Sequence, residues 1–509
     1  MAPIRTTAAS RAVLAIAAIV FVLGLVRLAA HAGLALSFPY GFDYGEGVVW
    51  QQMRDMLAGQ AYRPIGVYPA IAYEYPPLYH LAAAATGWAT GIDALYAGRL
   101  LSLVCTGVCA LLVGVLTARM VGGEPRGIRL GAAAIAGLAF ATMPLLDSWA
   151  LLMRVDLLAC VFTLAGMFLA CHAPRSLAAT VAAGLAFTAA LYTRQTCFPA
   201  PAAAFVVLLL ASPRRAWTMA AVSIASGLIV LAAVESATRG GFLLNIVSYN
   251  VNRILWDHAG ALAATLLANI VLLALAAIGA AAAFPTIGMR RWRDLRTAEP
   301  AQLALAIVLA TLALKTLMLP AILKSGASDN YLIDWFTQIC MLAGFAAIPL
   351  LRAASGLAAA PSLLLYALFA LGLPLQVWGA QSLPDRAAAD AQRRELDTIV
   401  ARIRQSDRPV ISDDATLLLR AGKPLQWEPA IVAELASFGR YDEQRFAAMV
   451  RRGAFGFFVT DGDRGDILFD QRFNPLVADA IHAAYPRHVH LGGRTLHFPA
   501  APQRPDRLR

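Results

Sequence analysis

Long apolar runs recur along the first three quarters of the chain and are separated by short polar segments. Runs of about 18 residues or more can cross about 30 Å of hydrocarbon as α-helices. These runs lack the alternation of apolar and polar residues that is typical of strands. Helices, in addition, satisfy their own backbone hydrogen bonds in lipid. One run ends near Leu36, and the others lie roughly at 93–118, 128–146, 150–171, 176–192, 197–211, 216–237, 261–284, 301–323, 332–351 and 360–380. The pattern predicts about eleven transmembrane helices, unless the short runs 176–192 and 197–211 form a re-entrant pair.

Arginine is concentrated in loops that the alternation of spans places on one side of the membrane. These residues are Arg119, Arg126, Arg129, Arg175, Arg214, Arg215, Arg290, Arg291, Arg293, Arg296 and Arg352. Basic loops face the cytoplasm, so the amino terminus is predicted to be cytoplasmic. The first apolar run is too long for the core of a cleaved signal peptide. We therefore expect a multi-pass protein of the bacterial inner membrane with a periplasmic carboxyl-terminal region.

The composition agrees with a membrane protein, because 59% of the residues are hydrophobic and only 14% are charged. A soluble domain has about 25% charged residues. The formal net charge of +11 comes largely from the cytoplasmic loops, and no motif that reads nucleic acid is present, so nucleic acid is not an expected partner. The six cysteines have no metal-ligand spacing and are expected to be buried apolar residues.

The pattern changes near residue 381, where charged residues become frequent and short helical and strand-like segments alternate. Residues 393–404 and 441–452 read as helices, 410–411 and 455–459 as strands, and 488–498 as a hairpin over two glycines. We predict an all-α membrane domain over residues 1–380, with a first outer loop at 37–92, and a small periplasmic α/β domain over 381–509. The tail after Pro499 is expected to be disordered.

Ionisable residues gather at the predicted outer face, where such groups are costly and often functional. The cations there are Arg99, Arg154, Arg194 and Lys324. Each of them is either a snorkelling anchor or part of a site for a shared anion such as a lipid-linked phosphate, since arginine matches phosphate bidentately. Asp156 lies two positions after Arg154, so the two side chains do not share a helix face. Asn330 and Tyr331 follow Lys324 and can donate hydrogen bonds to sugar hydroxyls.

The segment Gly41-Phe42-Asp43-Tyr44-Gly45-Glu46-Gly47 follows the first span. Asp43 and Glu46 are three positions apart and would share a helix face. They could deprotonate an acceptor hydroxyl or hold a divalent cation such as Mg²⁺ or Mn²⁺. They could equally form a capping box. Downstream, Glu74, Tyr75 and His80 lie in a segment rich in aromatic residues and proline, which suits either a membrane-interface belt or a sugar-stacking surface.

These segments together resemble the first outer loop of C-type (GT-C) membrane glycosyltransferases. The resemblance rests on the segments 41–47, 57–63, 75–79 and Gly98-Arg99, and on later blocks at 154–156, 193–196 and 326–331. It is greatest to bacterial members related to protein O-mannosyltransferases and lipid A aminoarabinose transferases. One departure is that the protein-mannosylating branch has adjacent acids in this loop, whereas Asp43 and Glu46 are three positions apart.

The resemblance implies that a sugar is transferred from a polyprenyl-phosphate donor to a cell-envelope acceptor (a glycan, lipid or protein) at the periplasmic face. Asp43 would be the catalytic base, and Glu46 a helper or metal ligand. Arg99, Arg194 and Lys324 would contact the donor phosphate. Two other classes stay open from the sequence: a transporter or lipid flippase, and a ligase or polymerase that moves a preformed lipid-linked glycan.

Overall fold

A computed structural model of the chain describes residues 2–287, 295–296, 298–378 and 384–500. Most of the described chain up to residue 378 is helical. The α-helices there are α1 Ala2–Ala35, α2 Tyr44–Leu57, α3 Leu78–Thr90, α4 Ala94–Met120, α5 Arg126–Ala141, α6 Leu146–Trp149, α7 Asp156–Ala170, α8 Leu177–Thr193, α9 Pro199–Ala211, α10 Pro213–Ala237, α11 Gly241–Leu243, α12 His258–Ala268, α13 Ile270–Ile287, α14 Pro300–Leu317, α15 Ile333–Ala346, α16 Ile348–Ala354, α17 Leu363–Ala367 and α18 Leu373–Trp378.

Several of these helices are long and apolar enough to span a membrane. Among the described residues they are Thr7–Ala35, Ala94–Met120, Pro213–Ala237, Pro300–Leu323 and Asp329–Ala354. Helices α12 and α13, which meet at a bend of 71°, make one further span if the two are treated as a single bent helix. Shorter apolar helices are Asp156–Ala170, Leu177–Thr193, Gln195–Ala211 and Leu363–Trp378. The protein is therefore a helical membrane protein, while the total of eleven crossings stays a prediction.

The chain between α5 and α7 is less regular than the sequence pattern predicted. Helix α5 ends at Ala141, and α7 begins only at Asp156, with the single turn α6 between them. Pro144 disfavours helical conformation in the residue before it. The predicted helices over 128–146 and 150–171 are therefore too long at this junction, and Arg154 lies in irregular backbone at the end of the resulting loop.

The carboxyl-terminal region combines helices with a small mixed sheet. Its elements are α19 Arg386–Gln405, β1 Ile411–Ser412, α20 Ala415–Arg420, α21 Pro429–Ser437, α22 Glu443–Arg451, β2 Phe458–Thr460, α23 Ile467–Arg472, α24 Pro475–Ala484, β3 Arg487–Leu491 and β4 Arg494–Phe498. The strand order is β1-β2-β4-β3, with β1 parallel to β2 and the other pairs antiparallel.

The predicted carboxyl-terminal hairpin is confirmed. Gly492 and Gly493 connect β3 to β4 with φ of 61° and 71°, the positive values that a tight two-residue hairpin turn requires. The predicted domain boundary near 381 and most of the predicted disordered tail, residues 501–509, lie outside the described residues.

The first outer loop packs between the membrane helices and the carboxyl-terminal region. Phe38 and Tyr40 share a buried apolar cluster with α19 and α20. Ala70 forms a parallel β-bridge with Trp427, with its N–H 2.8 Å from the Gln426 carbonyl oxygen. Because both apolar packing and backbone hydrogen bonds join the two segments, α2 is held in place from both sides.

Candidate active site

A cavity of about 320 Å³ opens between the first outer loop, the loops beside α7 and α12, and the carboxyl-terminal region. Its lining includes three carboxylates and three cationic or aromatic side chains that come from separate parts of the sequence: Asp43, Glu74, Glu428, Arg154, Tyr75 and Arg472. The cavity therefore brings together residues up to about 430 positions apart, as expected for an active site or a polar ligand site.

Asp43 occupies the cavity wall as the N-cap of α2. Its Oδ1 accepts a hydrogen bond from the Gly45 N–H at 2.9 Å and lies 3.0 Å from Arg154 Nη1. Within the described residues Oδ2 has no hydrogen-bond partner, and the side chain is 29% exposed. One oxygen is thus fixed by the helix terminus and the guanidinium, while the other is free to face a ligand.

Arg154 joins several groups of the cavity. Its Nη2 lies 3.4 Å from the Tyr75 hydroxyl, and its guanidinium carbon is 5.6 Å from the centre of the Trp149 ring. The close approach of Arg154 to Asp43 requires a glycine at position 45, because a Cβ there would lie only 1.4 Å from Arg154 Nη1. The absence of a side chain at Gly45 therefore leaves the space that the Arg154 guanidinium occupies in its ion pair with Asp43.

Two further carboxyl groups, those of Glu74 and Glu428, line the cavity. Burial raises the pKa of Glu74, against the opposing effect of Arg154. Burial, and then the proximity of Glu74, raises the pKa of Glu428 well above its ordinary value. Glu428 is only 4% exposed, and its Oε2 has no hydrogen-bond partner in the described part of the chain. An unpartnered buried carboxyl oxygen is costly to keep and suggests that a ligand contacts it.

A second, smaller pocket lies beside the cavity and contains Arg194, Asp156 and Tyr331. Arg194 forms an ion pair with Asp156, and its guanidinium carbon lies 4.3 Å from the centre of the Tyr331 ring. Asn330 also donates to Asp156, at 2.9 Å. The structure thus brings these predicted residues together, in a pocket of their own next to Tyr75.

Glu46 and Arg99 form a fully buried ion pair and are not among the lining residues of the cavity. The Arg99 Nε and Nη2 groups lie 2.8 Å from the two carboxylate oxygens. The guanidinium also donates to the backbone carbonyls of Ala35, Phe38 and Tyr40. All five N–H groups of Arg99 are therefore used within the protein.

These contacts correct the roles expected of Glu46 and Arg99. Glu46 also accepts from the Phe42 N–H at 2.8 Å and the Met153 N–H at 2.9 Å, so both oxygens have two donors each. Asp43 and Glu46 consequently do not fit a shared Mg²⁺ or Mn²⁺ site, and Arg99 has no group left for a phosphate. The capping-box interpretation holds in part. Asp43 is the N-cap of α2, but Glu46 accepts from the N–H of Phe42 and not from that of Asp43, as a capping box would require.

Two other predicted residues are not among those that line the cavity. Lys324 is exposed and pairs through its backbone with Ile254, while Ser325 to Ser328 beside it line the cavity. His80 is fully buried, and its Nε2 lies 3.1 Å from Gln52 Oε1. His80 therefore packs α3 against α2 and does not line the cavity.

The sequence did not single out several residues of the site. Glu428, Glu434, Arg253 and Arg472 come from segments with ordinary surface composition, so only the fold reveals them. Lys315, which pairs with Asp334 beside Arg194, could have been noticed, because a lysine inside an apolar run is itself a signal.

The fold that surrounds these pockets is that of the GT-C membrane glycosyltransferases, as the sequence resemblance predicted. The structure is similar to ArnT from Cupriavidus metallidurans, a lipid A aminoarabinose transferase, bound to undecaprenyl phosphate. The TM-score is 0.56 at 15% identity, over 95% of this chain and 98% of that chain. The apo form of that ArnT gives a TM-score of 0.51 at 16% identity, over 94% and 97%.

A more distant similarity links the chain to the apo oligosaccharyltransferase of Archaeoglobus fulgidus. The TM-score is 0.50 at 13% identity, over 88% of this chain and 69% of that chain. No protein-family model matches the chain, and no curated protein matches it by sequence. At these identities the similarity establishes the fold, and function has to be argued from the site.

Proposed function

We propose that this protein is an inverting glycosyltransferase that moves a sugar from a polyprenyl-phosphate donor to a cell-envelope acceptor, at the periplasmic face of a bacterial inner membrane. The observation that carries the proposal is the cavity in which Asp43 keeps one carboxylate oxygen free beside Arg154. The donor class is supported by the similar ArnT structure, which contains undecaprenyl phosphate.

Asp43 acts as the general base in this mechanism. Its free Oδ2 accepts the proton of an acceptor hydroxyl as that oxygen attacks the anomeric carbon of the sugar. The bond between the anomeric carbon and the phosphate oxygen breaks, and its electron pair leaves with the polyprenyl phosphate. A single displacement of this kind inverts the anomeric configuration.

Cations near the cavity stabilise the leaving phosphate as its charge develops. Lys324 is exposed beside the lining residues 325–328 and forms no ion pair within the described part of the chain. Arg154 lies in the cavity itself, and Arg194 lies in the adjoining pocket with Tyr331. We assign the donor phosphate to these three side chains, and Arg99 to the support of α2.

Two further carboxyl groups of the cavity are suited to hold the sugar. Glu74 and Glu428 line the cavity together with Tyr75. Carboxyl and phenol groups can accept hydrogen bonds from sugar hydroxyls or donate hydrogen bonds to them. Since Glu428 belongs to the carboxyl-terminal region, this region contributes directly to the proposed sugar site.

The test is a transfer assay with the purified protein in lipid nanodiscs and a panel of undecaprenyl-phosphate sugars, with mass spectrometry of the released lipid phosphate and the product. Asp43→Asn should lower turnover by at least about a hundredfold, since general-base catalysis contributes about 10²–10⁴-fold. Asp407→Asn, at an exposed acid outside the cavity lining, should leave turnover unchanged.

Near-normal turnover by Asp43→Asn would remove this residue from the mechanism. Substrate carried across the membrane of proteoliposomes without a glycosyl product would favour a transporter or flippase instead. Product size separates single-sugar transfer from a ligase or polymerase, because only the latter would add a preformed chain.

A further inference from the structure

Histidine is concentrated at the end of the chain, away from the proposed active site. Of the eight histidines in the sequence, His482, His488, His490 and His497 lie on α24 and the β3–β4 hairpin. The antiparallel register places His488 directly opposite His497, and their ring centres are 4.6 Å apart. Histidine is the commonest metal-binding side chain, and two imidazoles on one face of a sheet can bind the same ion.

His497 is held as a neutral ring with one bare nitrogen. The Thr460 hydroxyl donates to the Gly462 carbonyl oxygen at 2.7 Å, so it can only accept from His497 Nε2, which lies 2.7 Å away. The proton is therefore on Nε2, and the lone pair is on Nδ1. His497 is fully buried, and Nδ1 has no hydrogen-bond partner in the described chain. Metal-binding histidines are oriented in this way by a hydrogen bond to the other ring nitrogen.

Asp463 completes the group from the loop that follows β2. Its Oδ2 lies 2.9 Å from His488 Nδ1, and ligand atoms of Asp463, His488 and His497 all lie within 4.8 Å of one another. In a tetrahedral zinc site, ligand atoms are about 3.3 Å apart, given bonds of about 2.0–2.1 Å. Closure by about 1.5 Å is within reach of this loop, which is partly exposed and contains Gly462 and Gly465.

We propose that Asp463, His488 and His497 bind one divalent transition-metal ion of the zinc class. Two imidazole nitrogens and one carboxylate oxygen suit such ions better than Mg²⁺ or Ca²⁺, which prefer oxygen ligands alone. Three protein ligands leave a fourth position for water. The ion joins the loop after β2 to the terminal hairpin and thus stabilises this end of the sheet.

The ion would act at a distance from the sugar cavity. Asp461, two residues before Asp463, pairs with Arg472, and the Arg472 guanidinium carbon lies 4.5 Å from the centre of the Tyr44 ring on the cavity wall. The loop that carries Asp463 therefore contacts the cavity wall through Asp461 and Arg472. None of the three proposed metal ligands lines the cavity itself.

The experiment uses the full chain in detergent with a histidine-free affinity tag, after treatment with a chelator. Zinc is added alone, with excess Mg²⁺ in the buffer, and metal content and the unfolding temperature are measured. We expect one zinc per chain and a rise in the unfolding temperature, because an ion that binds only the folded state stabilises it. Asp463→Asn and His488→Gln should each weaken zinc binding by at least about tenfold.

His490→Gln is the matched control, because His490 lies on the same strand but bonds Thr495 at 3.1 Å and stands outside the three ligands. It should retain wild-type zinc binding. Replacement of zinc by Co²⁺ gives a second readout, since the intensity of its visible bands reports tetrahedral coordination. The proposal is overturned if the wild type binds no zinc, or if binding survives both Asp463→Asn and His488→Gln.

Discussion

At the scale of single residues, the cavity concentrates groups that are costly to keep in the folded protein. Glu428 is buried, retains an unpartnered carboxyl oxygen and lies close to Glu74. Glu74 is half-buried, and desolvation raises its pKa. Groups of this kind are common where a site has to be ready for a charged or polar ligand. Their presence argues for function, because a purely structural wall would be more stable without them.

Stability should therefore depend on pH through Glu428. Its pKa is raised in the folded state, so between the ordinary glutamate pKa and the folded value the folded state binds more protons than the unfolded state. Stability is then highest below the ordinary pKa and falls as the pH rises through this window. Glu428→Gln cannot ionise and so avoids this loss of folding stability. The variant should therefore melt at a higher temperature than the wild type at neutral pH but not at pH 4.

The measurement is thermal unfolding in detergent across this pH range, with transfer assayed in parallel. Asp407→Asn serves as the control and should follow the wild-type pH profile. An unchanged melting temperature at neutral pH would show that Glu428 is satisfied by a partner. A gain in stability with a loss of transfer would fit a sugar-binding role.

At the scale of elements, the start of α2 is fixed by α4 and the end of α1. Arg99 on α4 holds the Glu46 carboxylate and the backbone carbonyls of the last residue of α1 and of two residues between α1 and α2. The position of Asp43 follows from this arrangement, because Asp43 is the cap of the same helix. Arg99 thus acts on the cavity only through α2.

Arg99→Leu should destabilise the protein by about 3–5 kcal/mol, the usual cost of breaking a buried ion pair by removal of one partner. Chemical unfolding in detergent micelles measures the change, and Arg54→Leu, at an exposed position on α2, is the control. If Arg99→Leu kept its stability and lost only affinity for the donor, Arg99 would be a ligand contact after all.

The sequence predicted these elements better than it predicted their partners. The apolar runs located the main helices, and the Gly492-Gly493 pair located the hairpin, because both signals are local. The pairing of Glu46 with Arg99 could not be predicted, since it depends on how α2 and α4 pack, and the phosphate role expected of Arg99 came from the family resemblance. Glu428 was missed for the same reason: it reaches the cavity only through the bridge between Ala70 and Trp427.

At the scale of the whole molecule, the carboxyl-terminal region rests directly on α2. A Cβ at Gly47 would lie 2.5 Å from the backbone nitrogen of Thr416 and 2.8 Å from the Ala415 side chain. The backbones of α2 and α20 therefore approach closely at this point, and only glycine permits the contact without a shift. Helix α2 and the carboxyl-terminal region are therefore in close backbone contact next to residues that line the cavity.

Gly47→Ala should separate these helices and lower transfer by roughly a hundredfold, because a displacement of about 1 Å at a catalytic site has an effect of that size. Limited proteolysis should cut more rapidly near residues 415–420 in the variant. Gly107→Ala is the control, since a Cβ at Gly107 meets no neighbour within 4 Å. Wild-type proteolysis together with wild-type turnover would mean that the contact tolerates the methyl group.

The β-bridge between Ala70 and Trp427 has a consequence for biosynthesis. Ala70 is synthesised some 350 residues before Trp427, so Asp43 is made long before the wall of the cavity that Glu428 provides. A chain that stopped before residue 427 would contain the described apolar helices and still lack this wall of the cavity. Closure of the cavity therefore depends on one of the later parts of the chain to be synthesised.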